Sequence, residues 1–361
     1  NVSSIRKLAR LENETKKQIQ DFINDDLKNL CSKIDSLLKF DPVKNPDGLL
    51  SVHITSIAQN SRDVYLLLLY ILKNTEITET ASRQAAALRA LTMILHWFAT
   101  DKNKAVKKII EECQTDFSWR QICLAVAACI KEEHIIPIHS PEKTKKFLEQ
   151  IFNITEDRQL IAWDWWHLIN DGSNPEGYLL KQKEWWKFLG VRENRELLLY
   201  CQREYLHERF KDYDPARKDL WKEHNRPWDF DHIFPSFYTY NRKDDPKYMA
   251  VCHKWGNTIG NLRAWPFEEN RSDQKDLPGE KIKSEEELKN SFIEKTEMEG
   301  FSPDNGDKVR HEKDISLKFI RTCLDRFIRI YGHWYKQNSI DELQKAIDNE
   351  KKEVLSNHSG D

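Results

Sequence analysis

DFDHIFP, residues 229–235, sets two carboxylates and a histidine within four positions, among large apolar residues and ahead of a closing proline. Strand alternation puts Trp228 and Phe230 on one side of an extended segment and Asp229 and Asp231 on the other. His232 then falls on the tryptophan side unless the strand ends or bulges there. Downstream, NLRAWPF (261–267) reads as a second strand after a turn at Gly260 and Asn261. EENRSDQK (268–275) starts a helix with acids in its first turn, where the helix dipole favours them. The order is strand, long loop, strand, helix. It places Asp231 and His232 on the first strand, Asn261 at the start of the second, and Asn270 on the helix.

Such a set has a chemical reading. Hydrolysis of a phosphodiester needs an activated water, a Lewis acid on the phosphate and help for the leaving oxygen. Histidine suits the base, because its unperturbed pKa of about 6.5 lies near working pH. Asp and Asn oxygens are hard donors suited to Mg²⁺, which keeps several waters and takes few protein ligands. One Asp, one Asn and one His held by two strands and a helix suffice for a one-metal site. Packing of Trp228, Phe230 and Ile233 would fix Asp231 and His232 in place.

DHI-x-P on a first strand, then GNL and a helix bearing N-R, resembles the HNH, or ββα-metal, nucleases. The wider run LLLYCQREYL, YDP, NRPWDFDHIFP, NTIGNLRAWPFEENRSDQ is similar to the C-terminal nuclease part of GmrSD-type, modification-dependent restriction proteins. The resemblance covers residues from about 195 to 283. It implies that His232 is the general base, that Asp231 and Asn270 hold Mg²⁺ or Mn²⁺, and that Asp229 supports the metal site. Asn261 would share the catalytic centre by pinning the hairpin and orienting the histidine. Arg271 and Lys275 would bind phosphate oxygens. The implied product ends are 5′-phosphate and 3′-hydroxyl. The implied substrate is DNA, foreign or modified, in a defence setting. The rivals are a non-catalytic DNA-binding or assembly subunit and an RNA-directed nuclease. Relatives of that restriction type carry a nucleotide-hydrolysing half whose signature is absent here. Either it precedes Asn1 or belongs to another chain, or this protein acts without it, which leaves nucleotide dependence open.

The rest of the chain reads as helices. Its 361 residues suffice for two domains. Apolar residues recur at three- and four-residue spacing through the first 155 or so, as in residues 61–74 and 82–101. Ser140 and Pro141 open a further helix as cap and first helical residue. The expected organisation is a helical domain over 1–155, a helix-wrapped ββα-metal nuclease domain over 156–337 with its core near 227–283, and a C-terminal helix and tail over 338–361. The fold class is mainly α.

Composition bounds the alternatives. Lys and Arg number 57 against 59 Asp and Glu, so a generally basic nucleic-acid coat is excluded but a local basic groove is not. The seven cysteines include no CxxC pair, which fits a reduced cytoplasm and not a disulfide framework or zinc ribbon. No phosphate-cradling GxxxxGK[ST] or GxGxxG occurs. No apolar run is long enough for a membrane span. The aromatics of WDWWH (163–167) read as helix packing, and Cys252-His253 as a detail of the loop between the strands.

Overall fold

Side chains that recur on one helical face must be covered, and the structure covers them with other helices. The computed structural model describes residues 13–75, 82–151, 195–215, 226–246, 248–272, 275–301, 305–343 and 345. The expected boundary near 155 and the run at 163–167 lie outside the described residues. The first half forms α1 (Asn13–Asp21), α2 (Leu27–Leu38), α3 (Ser51–Asn60), α4 (Arg62–Asn74), α5 (Arg83–Phe98), α6 (Lys102–Cys113), α7 (Trp119–Lys131) and α8 (Pro141–Ile151). A short π segment, Phe22–Asp26, joins α1 to α2. The hydroxyls of Ser82 and Ser118 and the Asp101 carboxylate accept the amides of Ala85, Gln121 and Lys104, capping α5, α7 and α6.

The second half continues with α9 (Arg195–Cys201), α10 (Arg203–Arg209), β1 (Trp228–His232), α11 (Ser236–Thr239), α12 (Tyr248–Gly256), β2 (Leu262–Pro266) and α13 (Phe267–Ser272). Then come α14 (Pro278–Lys281), α15 (Glu285–Asn290), α16 (Lys295–Phe301), α17 (Lys308–His311) and α18 (Lys313–Gln337). The chain is thus mainly helical. Its sheet among the described residues is the antiparallel pair β1–β2, with Trp228 opposite Pro266, Phe230 opposite Ala264 and His232 opposite Leu262. The long connection between the strands is not a plain loop, because α11 and α12 fold within it. Cys252-His253 therefore sits on a helix, with Cys252 buried. None of the helices among the described residues is long and apolar enough to cross a membrane.

One apolar core joins residues from Leu30 to Leu343. Phe98 of α5 stacks on Trp334 of α18 with ring centroids 4.7 Å apart, and Trp97 meets Tyr200 of α9 at 5.9 Å. The 25-residue α18 is the spine of the second half. Its Arg326 is fully buried and donates to the carbonyls of Ile259, Gly260, Leu262, Ser291 and Phe292. Burial brings this guanidinium down to about 9, and five carbonyl acceptors give its donors the partners that water would supply. The start of β2 is thereby tied to α18.

Gly260 lets this tie form. A Cβ there would overlap the backbone carbonyl of Cys323 on α18. Backbone has little room to give, so Gly260→Ala should destabilise by about 1–3 kcal/mol, the usual cost of overpacking. A lowered urea midpoint at unchanged m would register it, and an unchanged midpoint would show that α18 does not hold this segment.

Candidate functional site

Alternation along β1 divides the charge of the quoted stretch between two faces. Pairing runs in regular register through His232, so Trp228, Phe230 and His232 share one face while Asp229 and Asp231 share the other. Trp228 packs with Leu199, Leu206 and Ala264, and the Tyr213 ring meets it edge-on at 5.0 Å. Gln202 of α10's N-terminus grips the outer edge of β2: its Nε2 donates to the Ala264 carbonyl at 3.1 Å and its Oε1 accepts the Ala264 amide at 2.8 Å. The hairpin is held from the side as well as from its faces.

The other face is filled by an ion cluster. Asp231 is 3 % exposed. One of its oxygens accepts from Arg263 Nε at 2.8 Å and the other from Lys281 Nζ at 3.0 Å. Lys281 also donates to the His232 carbonyl at 3.1 Å, and Arg263 lies over the Trp265 ring at 4.1 Å. Asp231, the expected metal ligand, thus has both oxygens engaged by protein cations in this structure, and the carboxylate anchors the hairpin to α14. Of the hard oxygens the resemblance implies, those left to a divalent cation belong to the half-buried Asp229 and Asn270. Among the described residues, no three His, Cys, Asp or Glu side chains gather as a metal-binding group.

His232 sits half-buried at the end of β1, and its Nε2 lies 3.2 Å from Asn257 Oδ1. The Asn257 amide is oriented by its own Nδ2, which donates to the His253 carbonyl at 2.7 Å. Its oxygen therefore faces the imidazole and accepts the Nε2 proton. The neutral ring then carries its lone pair on Nδ1, the atom left to take a proton. Burial pulls the imidazole below its ordinary value, and the positive Arg195 and Lys281 add to this. The Asn257 hydrogen bond and the Asp231 charge oppose it. The net effect favours the uncharged ring.

Asn261 is fully buried and fixes the loop that follows. Its Oδ1 accepts the Phe234 amide at 2.9 Å, and its Nδ2 donates to the carbonyls of Phe234 at 2.9 Å and Gly256 at 3.0 Å. The hydrogen bond to the histidine ring comes from Asn257, not from Asn261. Asn270 lies on α13, which folds back so that the Phe267 amide donates to the Pro227 carbonyl at 3.2 Å. Arg271 lies on the same helix, and its side chain is outside the described set. Lys275 is exposed, with its ammonium 4.1 Å from the centre of the Phe237 ring.

Two residues on the histidine face were not singled out from sequence. The guanidinium groups of Arg195 and Arg226 lie over the Phe230 ring at 4.9 and 5.1 Å. Arg226 stands two residues ahead of β1, a signal readable in NRPWDFDH once the strand is recognised. Arg195 begins α9, and its proximity is purely tertiary. Its neighbour Glu196 points elsewhere, accepting from His96 Nε2 at 2.8 Å and Trp97 Nε1 at 3.1 Å. Burial would raise the Glu196 carboxyl, but the His96 hydrogen bond and charge hold it below its usual range. Ser61 Oγ lies 2.5 Å from His96 Nδ1, which completes a serine–histidine–glutamate line. Ser61 is 2 % exposed, so that line has no open face for a substrate and ties the two halves of the chain together.

Comparison with protein-family models, curated proteins and solved structures gives no match.

The anchor role of Asp231 separates cleanly from a ligand role. Asp231→Asn leaves Arg263 and Lys281 buried without their counter-charge, which costs about 3–5 kcal/mol when a buried pair is broken. Urea unfolding in EDTA should show that loss in full. Unchanged stability in EDTA, with a loss confined to Mg²⁺-containing buffer, would return Asp231 to the metal.

Proposed function

We propose that this chain is an endonuclease of the ββα-metal type that hydrolyses nucleic-acid phosphodiester bonds with His232 as general base. The observation that carries the reading is the state of His232. Its Nε2 proton is engaged by Asn257 Oδ1, which leaves the Nδ1 lone pair for a water, and burial lowers its pKa. In the reaction, Nδ1 takes a proton from that water, the water oxygen attacks phosphorus, and the bond to the leaving oxygen breaks. Arg195 and Arg226 bring two guanidinium groups to the same face, where they would neutralise phosphate oxygens as charge builds on them. A bound divalent cation would polarise the phosphate, with Asn270 of α13 the expected residue to hold it on the base's side, because Asp229 lies on the β1 face opposite His232. DNA is the substrate favoured by the resemblance, and restriction of foreign DNA is the role it suggests.

The occupied Asp231 favours a second reading, in which the same hairpin serves binding or assembly without catalysis. Nicking of supercoiled plasmid with Mg²⁺ or Mn²⁺ decides between them. The wild type should cleave, and His232→Ala should lose at least about 100-fold, the lower range for a positioned general base. Equal background in both proteins, with DNA still bound, would establish the binding reading.

The pH profile gives an independent check. A base acts only when unprotonated, and the His232 pKa is lowered from 6.5, so the acid limb of kcat/KM should fall below that value. Arg195 contributes to the lowering, so Arg195→Gln should move the limb upward towards 6.5 as well as weaken substrate binding. An acid limb above 6.5 in the wild type would remove His232 from the role.

A further inference from the structure

We infer that the segment after β1 is a stacking platform for unpaired nucleotides, so that the preferred ligand of this face is single-stranded nucleic acid. The inference rests on the endonuclease reading for its meaning but on separate residues for its evidence. Phe237 is 41 % and Tyr240 59 % exposed. Both follow His232 within eight residues, on a segment that a globular core has not covered. Large aromatic rings are normally withdrawn from water, and a pair displayed beside a candidate active site is suited to a flat apolar partner.

The rings are displayed on a fixed backbone. Arg310 of α17 is buried, and its guanidinium donates to the carbonyls of Tyr238 at 3.3 Å and Tyr240 at 3.1 Å while pairing with Asp245. Tyr238, between the two exposed rings, is turned inward onto Phe234 with centroids 5.7 Å apart. It also packs over Gly306, where a Cβ would overlap its ring. The intervening Tyr238 and the buried Thr239 are thus locked, and the flanking aromatics are held outward. Preorganisation of this kind lowers the entropy cost of binding.

The surroundings name the ligand. Lys275 places a cation 4.1 Å from the Phe237 ring centre, and Arg242 and Lys243 are exposed just beyond Tyr240. Aromatic rings alternating with cations suit successive bases and their phosphates, and stacking tolerates any base. The platform is also joined to the base. Tyr240 meets the His253 ring at 5.8 Å, the His253 carbonyl holds Asn257, and Asn257 holds His232. A duplex keeps its bases stacked on one another and offers this platform nothing, whereas an unpaired strand offers both parts.

Binding measured in EDTA tests this apart from catalysis. Fluorescence anisotropy of the full chain with 5′-labelled oligonucleotides should show single strands bound more tightly than duplex of the same sequence. DNA and RNA arms distinguish the two sources of unpaired nucleotides. The variant Phe237→Ala/Tyr240→Ala should weaken single-strand binding about ten-fold or more and leave duplex binding within about two-fold. Phe237→Leu/Tyr240→Leu should weaken it similarly, because leucine keeps apolar bulk but has no ring face. Both side chains are exposed, so thermal midpoints should match the wild type. Equal single-strand and duplex affinity in the wild type, or full binding by the leucine variant, would overturn the platform. So would self-association of the wild type that the alanine variant abolishes, since the patch would then be a contact between copies. Failure to cleave either plasmid or single-stranded oligonucleotide in Mg²⁺ would strike the endonuclease reading and leave this binding result standing.

Discussion

The fold around the hairpin depends on a carboxylate buried between two buried cations. Asp231 stands directly opposite Arg263 across the β1–β2 pair, and Lys281 reaches it from α14. Such a cluster contributes little net stability compared with an apolar replacement, because three charges must leave water. Its value is selectivity. A one-residue slip of β1 would turn every side chain to the opposite face, leaving Arg263 and Lys281 without a carboxylate and His232 inside. A one-residue slip leaves the cluster unsatisfied, and in the observed register His232 faces Asn257. The charge in an otherwise apolar strand is therefore a device for setting register, and the histidine's position is its consequence.

Much of this fold is legible in the sequence because local pattern and tertiary burial agree. The periodic runs of the first half become α2, α4, α5 and α7, and Ser140-Pro141 opens α8. WDFDH of the first run and LRAWP of the second form the two strands, and FEENRS the helix that follows. The connection between the strands was harder. YMAVCHKWG carries a weak amphipathic signal, and its helix is defined by what it packs against. The role of Asp231 could not be read locally at all. An acid on an apolar strand suits a metal or a cation equally well, and its partners Arg263 and Lys281 lie 32 and 50 positions away. Asn257 and Arg195 escaped notice for the same reason. Neither belongs to the quoted motif, and each reaches His232 through the fold.

Arg195 and Glu196 give the start of α9 two directions. Glu196 reaches into the first half, where His96, Trp97 and the backbone contact of His53 at 2.9 Å enclose it. Arg195 reaches over Phe230. Adjacent residues on a helix project about 100° apart, so one rigid turn serves both. The Glu196 network fixes the rotation and height of α9 against the helical half, and this sets where the Arg195 guanidinium lies. The helical half thereby contributes to the site's electrostatics without placing a residue in it. Its large core supports that turn from behind.

The cations near His232 act in two ways that reinforce each other. Burial disfavours the imidazolium first, and the positive charge of Arg195 and Lys281 adds to it. The same positive charge favours an approaching phosphate. A carboxylate in direct contact with the ring would have reversed the first effect and weakened the second. Asp231 still raises the imidazole's pKa through space, but strand alternation turns it to the opposite face, where it pairs with Arg263 and Lys281 instead of touching the ring. Asn257 then orients the ring with a neutral acceptor, fixing the tautomer without adding charge. A base that must be uncharged and an anion that must be attracted are thus served by one arrangement: neutral hydrogen bonding to the ring, and cations at a short remove from it.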